Sequence, residues 1–226
     1  MKKIMTIVLA IACAFSLFSC GSATEEAIDE INSMYNAVAP SRVDVTSTKV
    51  FGKFELKTVS TLVIGEVDGF KVTTFNQTVD VPDEIDKEIN AIILNAIGEK
   101  EYSWVYHEDL GYKEKGGKWD VEADDPTPET GAIALNISAD TVEEFNNDEE
   151  NKKVTFVVKA EDTEEVFGYA LSSDASVTIL HSGADVSSIK IEYTEFYSGE
   201  GSEEYPEIAV TIEAKYSYVT QQVDFE

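Results

Sequence analysis

The chain has 226 residues, with 44 Asp and Glu against 17 Lys and Arg and a formal net charge of −27. A field of that sign repels phosphate backbones, which excludes nucleic acid as a partner, and it also repels anionic lipid headgroups. An apolar fraction of 43% with 10% aromatics is that of a folded chain rather than a disordered one, and the length suits one large or two small domains.

Met1-Lys2-Lys3 opens the chain, followed by an apolar run from Ile4 to Phe18 and then Ser19-Cys20-Gly21. The run is shorter than the ~20 residues a spanning helix needs and has the length of a signal-peptide core. The two cysteines are Cys13 and Cys20. Cleavage ahead of Cys20 would leave one sulfur, so no disulfide and no cysteine-based nucleophile or metal site is expected.

Leu17-Phe18-Ser19-Cys20 resembles the lipobox of bacterial lipoproteins. The resemblance implies removal of residues 1–19, diacylglycerol on the Cys20 sulfur and an acyl chain on its new N-terminus. Several chains are enough for stable anchoring, whereas one holds only marginally. The membrane is therefore an expected partner through this anchor.

Residues 20–40 read as a tether and helix. Ile28, Ile31, Tyr35 and Val38 recur at three- and four-residue steps, Thr24 suits the cap, Glu25 and Glu26 suit the positive end, and Pro40 stops it. The expected helix covers about 25–38. From Arg42 to Val81 the pattern alternates as three or four antiparallel strands, with Asp68-Gly69 as a tight hairpin signal. A second helix is expected over about 83–97, where Asp83 caps, Ile85, Ile89, Ile92, Ile93 and Ala96 make one stripe, and Gly98 closes it.

Between Glu101 and Val121 lie Tyr102, Trp104, Tyr106, His107, Tyr112 and Trp119, interrupted by Gly111 and Gly116-Gly117. Pro126 and Pro128 among acids then mark a loop or boundary. The remainder is strand-like at 132–137, 153–160, 165–171, 176–180, 189–197 and 208–218. The expected fold is mainly β: antiparallel β-sandwich modules at 41–126 and 127–226, or a single domain over 41–226.

Catalytic constellations are lacking. His107 and His181 are too few for a histidine metal site, Ser182 beside His181 makes no triad because strand neighbours face opposite ways, and no EF-hand spacing occurs. Asp124, Asp125 and Glu129 could offer hard oxygens to calcium, with Pro126 and Pro128 stiffening their loop; no other cofactor is expected. Trp104, Tyr106, Tyr112 and Trp119 are the best ligand-binding candidates, since sugar rings stack their apolar faces on Trp and Tyr. The competing reading has strand aromatics filling a core, as the alternation of Tyr102, Trp104 and Tyr106 would also give.

Taken whole, the chain resembles the surface and periplasmic lipoproteins of Bacteroidota. Gly21 after the cysteine resembles sequences sorted to the outer membrane, and Asp140-Thr141-Val142 resembles the O-glycosylation sequon of that group, which implies a glycan on Thr141. The expected function is a non-catalytic outer-membrane binding module for carbohydrate. A structural or protein-interaction role in the envelope is the alternative, and a glycoside hydrolase using paired carboxylates the third reading.

Overall fold

The computed structural model describes residues 24–51, 54–67, 70–80, 101–107, 113–115, 118–120, 133–196 and 207–220. The expected helix over 83–97 lies outside them. Helix α1 occupies 24–37. Its apolar stripe of Ala27, Ile28, Ile31 and Met34 is buried, while Glu25, Glu26, Asp29, Glu30 and Ser33 face solvent. This is the amphipathic division that three- and four-residue spacing produces.

The strands are β1 (Arg42–Phe51), β2 (Phe54–Val67), β3 (Phe70–Asp80) and β4 (Glu101–His107), then the short pair β5 (Lys113–Lys115) and β6 (Lys118–Asp120). β7 (Glu143–Asp148), β8 (Lys153–Val158), β9 (Ala175–His181), β10 (Val186–Phe196) and β11 (Glu207–Ser217) follow. The protein is mainly β and antiparallel, as its alternating pattern indicates. Nine strands form one sheet in the order β4-β3-β2-β1-β11-β10-β9-β8-β7, and β5 pairs with β6.

Two meanders make up this sheet, each joining sequence neighbours. The β2–β3 ladder closes at Val67↔Phe70, either side of Asp68-Gly69. The meanders meet where β1 pairs with β11, from Arg42↔Ser217 to Val50↔Ala209. We call the Arg42 and Ser217 end of the sheet the near end and the Val50 and Phe196 end the far end.

One face of the sheet is the core face. Val154, Phe156 and Val158 of β8, Ala175, Val177 and Ile179 of β9, and Val186, Ile189 and Ile191 of β10 are buried at alternate positions. The irregularity is a bulge between Val186 and Ser188, which shifts the alternation by one residue. α1 packs into the same apolar cluster through Ile28, Ile31 and Met34. Burying each such side chain is worth about 2 kcal/mol. The opposite face is polar, with Thr48↔Thr211 and Thr155↔Thr178 directly opposed and Lys190–Glu192 and Lys215–Glu213 ion pairs along single strands.

Two expected strands are not ladder strands. Residues 133–137 are extended, with Ile133, Leu135 and Ile137 buried and Ala134 and Asn136 exposed, but they belong to no sheet. Their backbone is satisfied from elsewhere. Asn32 of α1 donates Nδ2–H to the Ile137 carbonyl at 2.7 Å and accepts the Ile137 N–H at 3.2 Å. Tyr35 donates to the Ile133 carbonyl, and the Asn136 N–H to Val166 O at 2.9 Å.

The span 165–171 was expected as strand and instead carries the end of a helical turn, α2 (Thr163–Phe167), stopped by Gly168 at φ 79°. Thr163 decides this locally. Its buried hydroxyl donates to Ala160 O and accepts from the Leu171 N–H, both at 2.8 Å, pinning the turn at each end. Val166 and Phe167 are adjacent in sequence and both buried in this turn. Conversely, β7 was not anticipated, because Glu143–Asp148 is acidic and amide-rich and carries no alternation of apolar residues.

Two substitutions test these anchors by urea unfolding. Asn32→Leu removes both bonds to Ile137 and should cost about 2–3 kcal/mol, while Ser33→Ala on the exposed side leaves the midpoint unchanged. Thr163→Val keeps the shape but leaves a buried N–H and carbonyl unpaired, with an expected loss of about 2 kcal/mol.

Candidate functional site

The aromatic stretch begins on β4, the terminal strand of the sheet order. Tyr102, Trp104 and Tyr106 stand opposite Gln77, Phe75 and Thr73 of β3. Those β3 positions alternate with the exposed Asn76 and Thr78, and Phe75 and Thr73 are buried. Trp119 stands opposite Glu114 in the β5–β6 pair. The Trp104, Tyr106 and Trp119 side chains lie outside the described residues, as do all of Cys20, Tyr112, Asp124, Asp125 and Glu129. Among the described residues no group of three His, Cys, Asp or Glu is placed to hold a metal ion, and no helix is long and apolar enough to cross a membrane.

Thr141 is inside the protein. It is buried, and its hydroxyl accepts the Ser138 N–H at 3.0 Å and lies 3.1 Å from the Ser138 hydroxyl. A side-chain oxygen three residues ahead closes this turn in the way Ser and Thr commonly do. A glycan on that oxygen would have to displace the turn, so the sequon is not an exposed acceptor in the folded chain.

At the near end, α1 meets the core face at β11. Tyr35 stacks edge-on against Tyr216 of β11, with ring centroids 6.0 Å apart. Burial raises the Tyr216 phenol far above its ordinary value, and the neighbouring Tyr35 adds to this. Tyr218 donates to the Val186 carbonyl at 2.9 Å. On β9, His181 stands opposite Val186, and its N–H donates to Lys152 O at 3.1 Å. Both ring nitrogens of His181 are shut off from solvent and have no hydrogen-bond partner, although the residue as a whole is half-buried. Its imidazole is held below the ordinary histidine range by burial first and by Lys152 second, with Glu30 of α1 pulling the other way. The Asn147 carbonyl oxygen is likewise buried without a partner.

At the far end, Lys49 of β1 reaches across β11 to Glu195 of β10, with Nζ 2.9 and 2.8 Å from its two carboxylate oxygens. Tyr193 donates to the same carboxylate at 3.1 Å. Burial and then Glu195 raise the Tyr193 phenol, so it stays a neutral donor. Beside this cluster Phe196 is 58% exposed and Val50 37%.

Sequence reasoning treated His181 as one of two unrelated histidines. Nothing local in the sequence ties it to Lys152, which the β8–β9 ladder brings alongside, or to Glu30 of α1. The chain matches no protein-family profile and no curated protein in sequence.

The near-end and far-end groups respond differently to substitution. Lys49→Met leaves Glu195 with only Tyr193 and should cost about 1 kcal/mol, reduced by the partial exposure of the pair. The double variant Lys49→Met with Glu195→Leu should recover most of that loss in thermal unfolding, because neither charge is then left alone.

Proposed function

We propose that this protein is a non-catalytic, lipid-anchored binding module of the bacterial outer membrane, with carbohydrate as its ligand class. The observation that carries the ligand reading is the placement of Tyr102, Trp104 and Tyr106 at alternate positions of the last strand in a nine-stranded sheet. Ring-stacking residue types thus accumulate at one margin of the sheet, at register positions opposite Thr73, Phe75 and Gln77 of β3. Stacked aromatics supply affinity for sugar faces, and neighbouring polar groups supply specificity for hydroxyls.

The anchored reading rests on Leu17-Phe18-Ser19-Cys20 and on the few residues of sequence between Cys20 and the described part of α1, residues 24–37, whose apolar stripe is buried in the core. A lipid on Cys20 would therefore hold the body of the protein against the bilayer rather than on a long leash.

A protein-interaction role is the second reading, favoured by Phe196 and Val50 exposed at the far end, away from the attachment of α1. Titration with a panel of envelope and plant glycans separates the two. Intrinsic tryptophan fluorescence should shift with at least one glycan, and Trp104→Ala should abolish the shift; silence across the panel overturns carbohydrate binding. In cells, labelling with an alkyne fatty acid should mark the protein and fail on Cys20→Ala, with the variant leaving the membrane fraction.

A further inference from the structure

We propose that the solvent face of the sheet is a docking surface for a second copy of this chain, joined face to face through two self-complementary rows of charge. Each of the three central strands carries one ion pair on that face, between residues two apart. These are Arg42–Asp44 on β1 at 2.8 Å, Lys215–Glu213 on β11 at 3.3 Å and Lys190–Glu192 on β10 at 2.7 Å. In every pair the base stands on the near-end side of the acid. The register staggers the pairs, with Asp44 opposite Lys215 and Glu213 opposite Lys190. The bases Arg42, Lys215 and Lys190 therefore fall in one oblique row, and the acids Asp44, Glu213 and Glu192 in a second row beside it.

This patch differs from the rest of the described surface in two ways. It is neutral, with equal numbers of bases and acids, in a chain of formal charge −27. Elsewhere acids predominate, as on the outer side of α1, where Glu25, Glu26, Asp29 and Glu30 are exposed. The patch is also open, its six side chains being 38–65% exposed. Two copies of so acidic a chain repel over most of their surface, and a neutral patch is where that repulsion is least.

The arrangement of the rows selects the partner. An isologous contact turns one copy over onto the other about a two-fold axis in the plane of contact. With that axis along the border between the rows, the turn exchanges their places. The basic row of each copy then lies over the acidic row of the other. An unrelated partner would need both rows at the same offset, whereas a second copy carries them already. Because the rows run obliquely to the strands, the stacked sheets cross at a wide angle, as in orthogonal packings.

Charge supplies register and specificity more than affinity, so apolar contact is needed as well. By the alternation of β1, β9 and β10, the exposed Val50, Leu180 and Phe196 project from this same face, around the charged rows. The six strands from β2 to β8 in the sheet order, at about 4.8 Å spacing and about 25 Å length, offer roughly 700 Å² per copy, close to the roughly 800 Å² of a standard interface. A contact this polar makes a weak, reversible dimer.

The test is sedimentation velocity of the full chain, as processed by the cell and held in detergent, at up to about 100 μM. The wild-type chain should reach a dimer. Lys190→Glu with Lys215→Glu makes both rows mainly acidic, and Glu192→Lys with Glu213→Lys makes both mainly basic. Each double variant alone should weaken association at least about tenfold, and an equimolar mixture of the two should restore it, because an acidic face then meets a basic one. A monomeric wild-type chain, dimers that survive either reversal, or a mixture no more associated than its components would each overturn the docking face. Should a reversal variant lose the fold by circular dichroism, Lys190→Gln with Lys215→Gln decides: weaker association supports the face, and unchanged association overturns it. No glycan enters these measurements, so failure here leaves carbohydrate binding standing, and silence across the glycan panel leaves this face standing.

Discussion

The pairing of β1 with β11 is the contact on which the rest of the fold depends. Each meander can form from local hairpins, but neither alone supplies a continuous core face. Val43 and Val45 of β1 complete that face only when they lie beside Tyr216 and Ala214 of β11. Arg42 and Ser217 are brought together from near opposite ends of the chain, so this ladder carries the largest loop-closure cost in the structure. It is the step expected to be slow in folding, and until it forms both β1 and β11 remain edges open to other strands.

Once that ladder is in place, the two faces of the sheet acquire different work. The polar face is finished by cross-strand threonine pairs and by ion pairs along individual strands, each of small energetic value because it is half in water. The core face is apolar and must be covered, and α1, the 133–137 segment and α2 cover it. These three pieces hold one another as well as the sheet. Asn32 supplies the hydrogen bonds that a neighbouring strand would have given to Ile137, and Val166 does the same for Asn136. A segment with strand-like alternation is thus kept out of the ladder without leaving its backbone unsatisfied.

The position of α1 links architecture to the functional reading. It is the piece closest in sequence to the expected attachment site at Cys20, and its apolar stripe is part of the core cluster. The ligand reading places binding elsewhere, at the β4 margin, so the two proposed properties occupy separate parts of the molecule and can fail separately.

The sequence by itself determined the mainly β, antiparallel character, the amphipathic helix α1 and the Asp68-Gly69 hairpin. Each of these is carried by short-range periodicity or turn chemistry, which are local. The tertiary structure decided the outcome over 165–171 only in part, because the bonds of Thr163 that hold the turn over Thr163–Phe167 are local, to Ala160 and Leu171. It also decided that 133–137 lies outside the ladder, that Thr141 faces inward, and that the two strand-rich halves share one sheet. The environment of His181 belongs to the same class. A lone histidine at a strand end looks the same in sequence whether its ring nitrogens meet water or are enclosed, and only the folded surroundings set which it is.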